Sequence, residues 1–320
     1  MKLRRIIGIY LLSILFLAIC VILSLALGSK NIEFSQVINA LNNSSDTSFA
    51  ALVVRERIPR TVFSIMAGRS LGISGALMQS ITRNPIADPS ILGVNTGASL
   101  FVVVGIAFLN ISSPNQYIWL ALAGAAVTSV FVYIVASMGN GGITPIKLAL
   151  AGSATSAVLS SLVSAIMLPR GDVMDAFRFW QLGSVSGATW ESIKLILPFV
   201  IIGLIISIAA TPALNILALG DEVATGLGVN TGIIRIIFAI ASPIGFIGLM
   251  IPHSIRLIFG SNLKGIVPLS AIGGAALLTI SDTIGRVIGS PGEVQVGIIT
   301  AFIGAPILIM IARKAKVKAI

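Results

Sequence analysis

Charge is what this chain has least of. Of its 320 residues only 10% are Asp, Glu, Lys or Arg, against roughly 25% in an ordinary soluble domain. It holds one cysteine and one histidine. A single cysteine excludes an intrachain disulfide, and Cys20, inside the first apolar block, reads as a small apolar filler. The lone His253 has no metal-binding companions in sequence, and its PHSIR setting reads as a capped turn. No phosphate-binding Walker A loop occurs, so any ATP chemistry belongs to another subunit. No paired nucleophile and base or metal cluster suggests an intramembrane enzyme.

What is present is apolar. Hydrophobic residues make up 56% of the chain, and the mean hydropathy is +1.04. A water-soluble fold cannot hide that much apolar surface, whereas lipid can. The 32 glycines suit helices that approach closely inside a membrane. The net charge of +10 does not mark a nucleic-acid binder. Its Lys and Arg residues lie between apolar blocks and at the two ends, as the positive-inside rule describes. The basic start (Lys2, Arg4, Arg5) with its apolar run resembles a signal peptide. The run is long enough to span, however, and is read as an uncleaved first helix.

Apolar blocks fall near 6–28, 58–81, 91–110, 117–138, 146–168, 192–210, 232–259, 266–288 and 294–312. Each is about the 20 residues a bilayer requires. The longest polar segments are 29–57, 169–191 and 211–230. Basic residues at both ends place both termini in the cytoplasm, so 29–57 and 169–191 are extracytoplasmic and 211–230 is cytoplasmic. Two ends on one side require an even number of spans. Nine is odd, and the block at fault is 232–259, too long for one helix and short for two. Segment 211–230, with Asp221 and Glu222 at its centre, reads as a docking surface for a soluble partner or as a solvated connector. Trp180 and Trp190 bracket an outer loop as interfacial anchors. Pro85 and Pro89 make TRNPIADPS (Thr82 to Ser90) an inner turn, in which Asn84 and Asp88 are read as caps. The Gly139-to-Lys147 loop is a flexible turn.

Several longer motifs are specific. RERIPR (Arg55 to Arg60) leads into AGRSLGISGALMQSITRNPIADPSILGVNTGA (Ala67 to Ala98). LGDEVATGLGVN (Leu219 to Asn230), FIGLMIPHSIRLIFG (Phe246 to Gly260), SDTIGR (Ser281 to Arg286) and GEVQVGIITAFIGAPILIM (Gly292 to Met310) follow in order. Together they resemble the permease subunits of the iron–siderophore and cobalamin family of ABC importers. The resemblance covers nearly the whole chain. It implies an all-α, polytopic protein of ten membrane helices, a single permease domain over 1–320, and no bound cofactor. The implied partners are a second permease subunit in a homo- or heterodimer, two cytoplasmic ATPase subunits and an extracytoplasmic binding protein. The implied job is alternating access for a ferric siderophore, or for haem or cobalamin, across the cytoplasmic membrane.

The resemblance also implies residue roles. Arg57, Arg60 and Arg286 match arginines that anchor a binding protein's acidic residues; the alternative is snorkelling to headgroups. Asp282 and Arg286, four apart, share a helix face. Gly220, Asp221, Glu222, Gly226 and Gly228 match the coupling segment that fits the ATPase. Gly72 and Gly75, with Gly68, either line the pathway or pack helices. Arg69 departs from the family's small apolar residues. It lies about 13 Å of helix rise below Arg60, where a charge faces a cavity or a partner. A second departure is a run about a dozen residues short after LGVN, which predicts a shortened or re-entrant seventh helix and an eighth over roughly 242–259. An ion-coupled carrier is the competing class. It places acids or His at the midplane, and these helices carry almost no ionisable groups beyond Arg69.

Overall fold

The computed structural model describes residues 3–82, 84, 93–138, 144–181, 185–217, 247–260 and 262–314. These hold helices and turns and no strand. In chain order the helices are α1 (Leu3–Ala26), α2 (Phe34–Asn42), α3 (Phe49–Ile81), α4 (Val94–Leu109), α5 (Pro114–Ser137), α6 (Pro145–Met167), α7 (Gly171–Gln181), α8 (Trp190–Leu217), α9 (Ile247–Phe259), α10 (Leu263–Ile288) and α11 (Val296–Lys314). Among the described residues six helices are long and apolar enough to cross a membrane, and α4 and α11 supply shorter apolar ones. Large apolar side chains such as Leu12, Phe131, Ile202 and Phe302 point outward, a surface that lipid covers at no cost and water does not.

Helix starts follow local chemistry. Ser48 accepts the Ala51 amide at 3.3 Å and opens α3. Ser113 and Thr144 accept from Gln116 and Lys147, each followed by a proline at the first helical position. Proline there loses no bond, because that amide has no intrahelical partner. The Ser48 cap begins α3 nine residues before the expected block, so the polar segment 29–57 contains α2 and the first turns of α3. Likewise α8 runs through Pro212 to Leu217, so the expected segment 211–230 begins inside a helix. The coupling residues Gly220, Asp221, Glu222, Gly226 and Gly228 lie outside the described residues. So do residues 231–246, which hold the expected short seventh helix. His253 is a correction: it sits mid-way along α9, buried, and not in a capped turn.

The helix α3 is central, touching α1, α2, α8, α9 and α10. A second group, α4 to α7, packs around α4. Glycine sets the α3 contacts. A methyl group added at Gly68 would meet the backbone of Gly274, one at Gly72 that of Ser270, and one at Gly75 that of Gly248 on α9. No side chain can yield there, so these positions admit nothing larger than hydrogen. The α3–α10 pairs also fix a register. Moving four residues along α3, from Gly68 to Gly72, moves four back along α10, from Gly274 to Ser270. Moving eight the other way brings Arg60 opposite Asp282. The close glycine seam therefore decides which charged residues meet at the far end of the two helices.

Candidate functional site

That far end is where α1 stops and α3 begins. The last carbonyls of a helix lack intrahelical donors. Arg57 supplies them for α1: its Nη1 donates to Leu25 O at 2.8 Å and Ala26 O at 3.0 Å, and its Nη2 to Lys30 O at 2.6 Å. Gly28 lies over this guanidinium, and a side chain there would push Arg57 Nη2, 2.6 Å from an added methyl, out of place. Pro59, two residues on, cannot donate within α3, and the helix is held here by side chains instead. Thr61 Oγ1 bonds Ser24 Oγ on α1 at 2.8 Å.

Arg60 faces α10. Its Nε lies 3.1 and 3.0 Å from the two Asp282 oxygens, and its Nη2 donates to Oδ1 at 2.7 Å. Its Nη1 donates to Glu293 Oε1 at 2.7 Å. Arg286 pairs with Asp282 Oδ2 at 3.1 Å, and its Nη2 donates to Ser24 O and Ser24 Oγ at 3.0 and 2.9 Å. Asp282 therefore sits between two guanidiniums, 2% exposed. Three cations and two carboxylates share the corner, leaving one positive charge in excess. Removing water from such charges is costly unless each is paired. The bidentate Arg60–Asp282 geometry and the carbonyl cage around Arg57 meet part of that demand, while Arg286 Nε and Nη1 are buried with no hydrogen-bond partner among the described residues.

The structure thus brings together the three arginines singled out in the sequence, and turns two of them inward. Arg57 is 7% exposed and Arg286 3%. The Arg60 side chain is 13% exposed, beside a Glu293 that is 35% exposed. The expected Asp282–Arg286 pair is present. Gly72 and Gly75 lie buried at helix contacts, which favours their packing reading. Arg69 is half-buried on α3.

Two features escaped sequence reading. Arg256 on α9 donates to Gln79 Oε1 at 3.3 Å and Ser80 Oγ at 2.8 Å, fastening α9 to the other end of α3. On α6, Ser153, Ala157, Ser160 and Ser164 are exposed and follow one helical stripe. Hydroxyls on a membrane helix face a partner or water in preference to lipid. The spacing of that stripe was available in the sequence; its exposure was not.

The comparisons decide the family. The model of the FecCD transport family matches residues 16–314. The chain belongs to the FecCD transport family. Its relatives include the ferric enterobactin transport system permease protein FepD of Escherichia coli (strain K12), 41% identical, with 94% of this chain and 93% of that protein covered. The Fe(3+)-citrate import system permease protein YfmD of Bacillus subtilis (strain 168) is 39% identical over 92% of this chain and 91% of its own. Among solved structures, a metal-chelate type ABC transporter in an inward-facing conformation superposes with a TM-score of 0.81 at 25% identity, covering 97% of this chain and 99% of that one. This FecCD-family chain is a multi-pass membrane transport subunit.

Proposed function

We propose that the chain is the permease of an ATP-driven importer carrying a ferric siderophore through the cytoplasmic membrane. The observation that carries this is the match over nearly the whole chain to permeases named for ferric siderophores and ferric citrate. The permease itself makes and breaks no covalent bond. Two copies, or this chain and a related one, enclose the pathway. Two ATPase subunits dock on the cytoplasmic face at Gly220, Asp221, Glu222, Gly226 and Gly228, and a binding protein delivers the ligand from outside. Arg60 is the reachable member of the docking corner, with Arg57 and Arg286 behind it. Arg69, and the serine stripe of α6, face the pathway, where a cation suits an anionic chelate. The glycines Gly72 and Gly75 hold α3 in place beside it.

In this reading ten spans leave both termini inside. The pairs formed by α3 with α10 and with α9 support it, because they run antiparallel and parallel as alternating spans require. A Lys316→Cys variant tests the topology. The thiol is expected to resist a membrane-impermeant maleimide in intact cells and to react after permeabilisation; labelling in intact cells contradicts it. Transport is tested in a strain lacking the chain's gene. Uptake of radioactive iron as its siderophore complex is expected to return with the gene and to vanish when the ATPase partner is deleted. Uptake that persists without the ATPase refutes the reading.

A further inference from the structure

The docking arginine is already occupied. Glu293, in the link between α10 and α11, places Oε1 2.7 Å from Nη1 of Arg60. It is held there by backbone packing. The Val294 amide donates to Gly285 O at 3.1 Å, and at Gly285 and Gly289 an added methyl would strike Val294 and Glu293 backbone atoms. The link thus lies flat on the last turn of α10, with the Glu293 carboxylate over Arg60. Of the two acids around Arg60, Asp282 is buried and bidentate, whereas Glu293 is one-third exposed and makes a single contact. Any carboxylate arriving from solvent meets Nη1, and Glu293 is the group in its way.

We infer that Glu293 stands in for the binding protein's carboxylate, and that docking exchanges one for the other at Arg60 Nη1. The inference rests on the docking reading above. Exchange has a physical consequence. Docking replaces an ion pair instead of adding one, so the new contact gains little net energy. Association stays reversible, as a delivery protein that must leave on each cycle requires. The approaching acid also pushes Glu293 toward water by like-charge repulsion, and Asp282 continues to neutralise Arg60 and Arg286 throughout.

The test uses the complete transporter in lipid nanodiscs and its fluorescently labelled binding protein. Glu293→Gln removes the competitor, and docking is expected to tighten about two- to fivefold, the scale of a partly exposed ion pair. Glu56→Gln removes the same charge from an exposed site one turn from Arg60 and is expected to change affinity less. Arg60→Lys keeps a charge for Asp282 but lacks the planar fork that grips Asp282 with two nitrogens while a third faces outward, and is expected to weaken docking. If Arg60→Lys docks like wild type, the docking reading itself fails. If Arg60→Lys weakens docking while Glu293→Gln leaves it unchanged, or tightens it no more than Glu56→Gln, the exchange is wrong and the docking site stands.

Discussion

Replacing Asp282 by alanine is expected to destabilise the protein by about 3–5 kcal/mol, the cost of leaving buried charge unpaired. Asp282 is 2% exposed and serves Arg60 and Arg286 together. Without it, Arg286 keeps only neutral acceptors on Ser24 and Thr283, and Arg60 keeps Glu293 alone. Three guanidiniums would then crowd one corner with a single carboxylate that is one-third exposed. Thermal unfolding in detergent, read beside the amount of protein in the membrane, checks this. A second variant separates charge from shape. Changing Arg60, Asp282 and Arg286 together to apolar residues of similar size is expected to cost less than Asp282→Ala, since a whole buried ion set is often replaceable at little loss. A triple variant as unstable as the single one would show that the geometry of the corner, and not its charge balance, holds it together.

Arg57→Ala carries the second large effect. Its guanidinium makes three bonds to carbonyl oxygens at the end of α1. Their loss strips the buried Leu25 carbonyl of this donor, at about 1–3 kcal/mol for a buried polar group left unmade, while Ala26 O keeps the Ile32 amide and Lys30 is exposed to water. Some of that is offset, because Arg57 has no carboxylate partner among the described residues and its charge repels Arg286. A net loss of about 2 kcal/mol is expected on these grounds. Arg57→Gln, which keeps a donor and drops the charge, is expected to recover part of it. Unchanged stability in Arg57→Ala, with binding-protein docking lost, would mean that Arg57 reaches outward to the partner and does not cap α1.

These residues also show what a sequence can and cannot reveal here. The six long apolar helices were legible because lipid tolerates little ambiguity: about 20 apolar residues with satisfied backbone bonds read as a helix wherever they occur. Pairing of Asp282 with Arg286 was legible because four residues make one helical turn. Pairing of Arg60 with Asp282 was not, since 222 positions separate them and the glycine seam that aligns them is a three-dimensional fact. Arg57 was readable as a charge at a helix end, but docking, snorkelling and capping share one local sequence, and burial alone separates them. Helices α2 and α7 went unseen because they are short and amphipathic. Their buried stripes, Val37 with Ala40 and Val173 with Phe177, are too brief to register as spans. His253 read as a turn because Pro252 precedes it, yet α9 continues through that proline, as membrane helices can.

Transport driven by a separate ATPase is the claim to test. The most direct measurement places the purified permease, its ATPase subunits and its binding protein in proteoliposomes and follows entry of a radiolabelled ferric siderophore. Accumulation is expected with ATP on the ATPase side and the loaded binding protein on the other, and none when either is withheld. Accumulation driven by an ion gradient without ATP would contradict it.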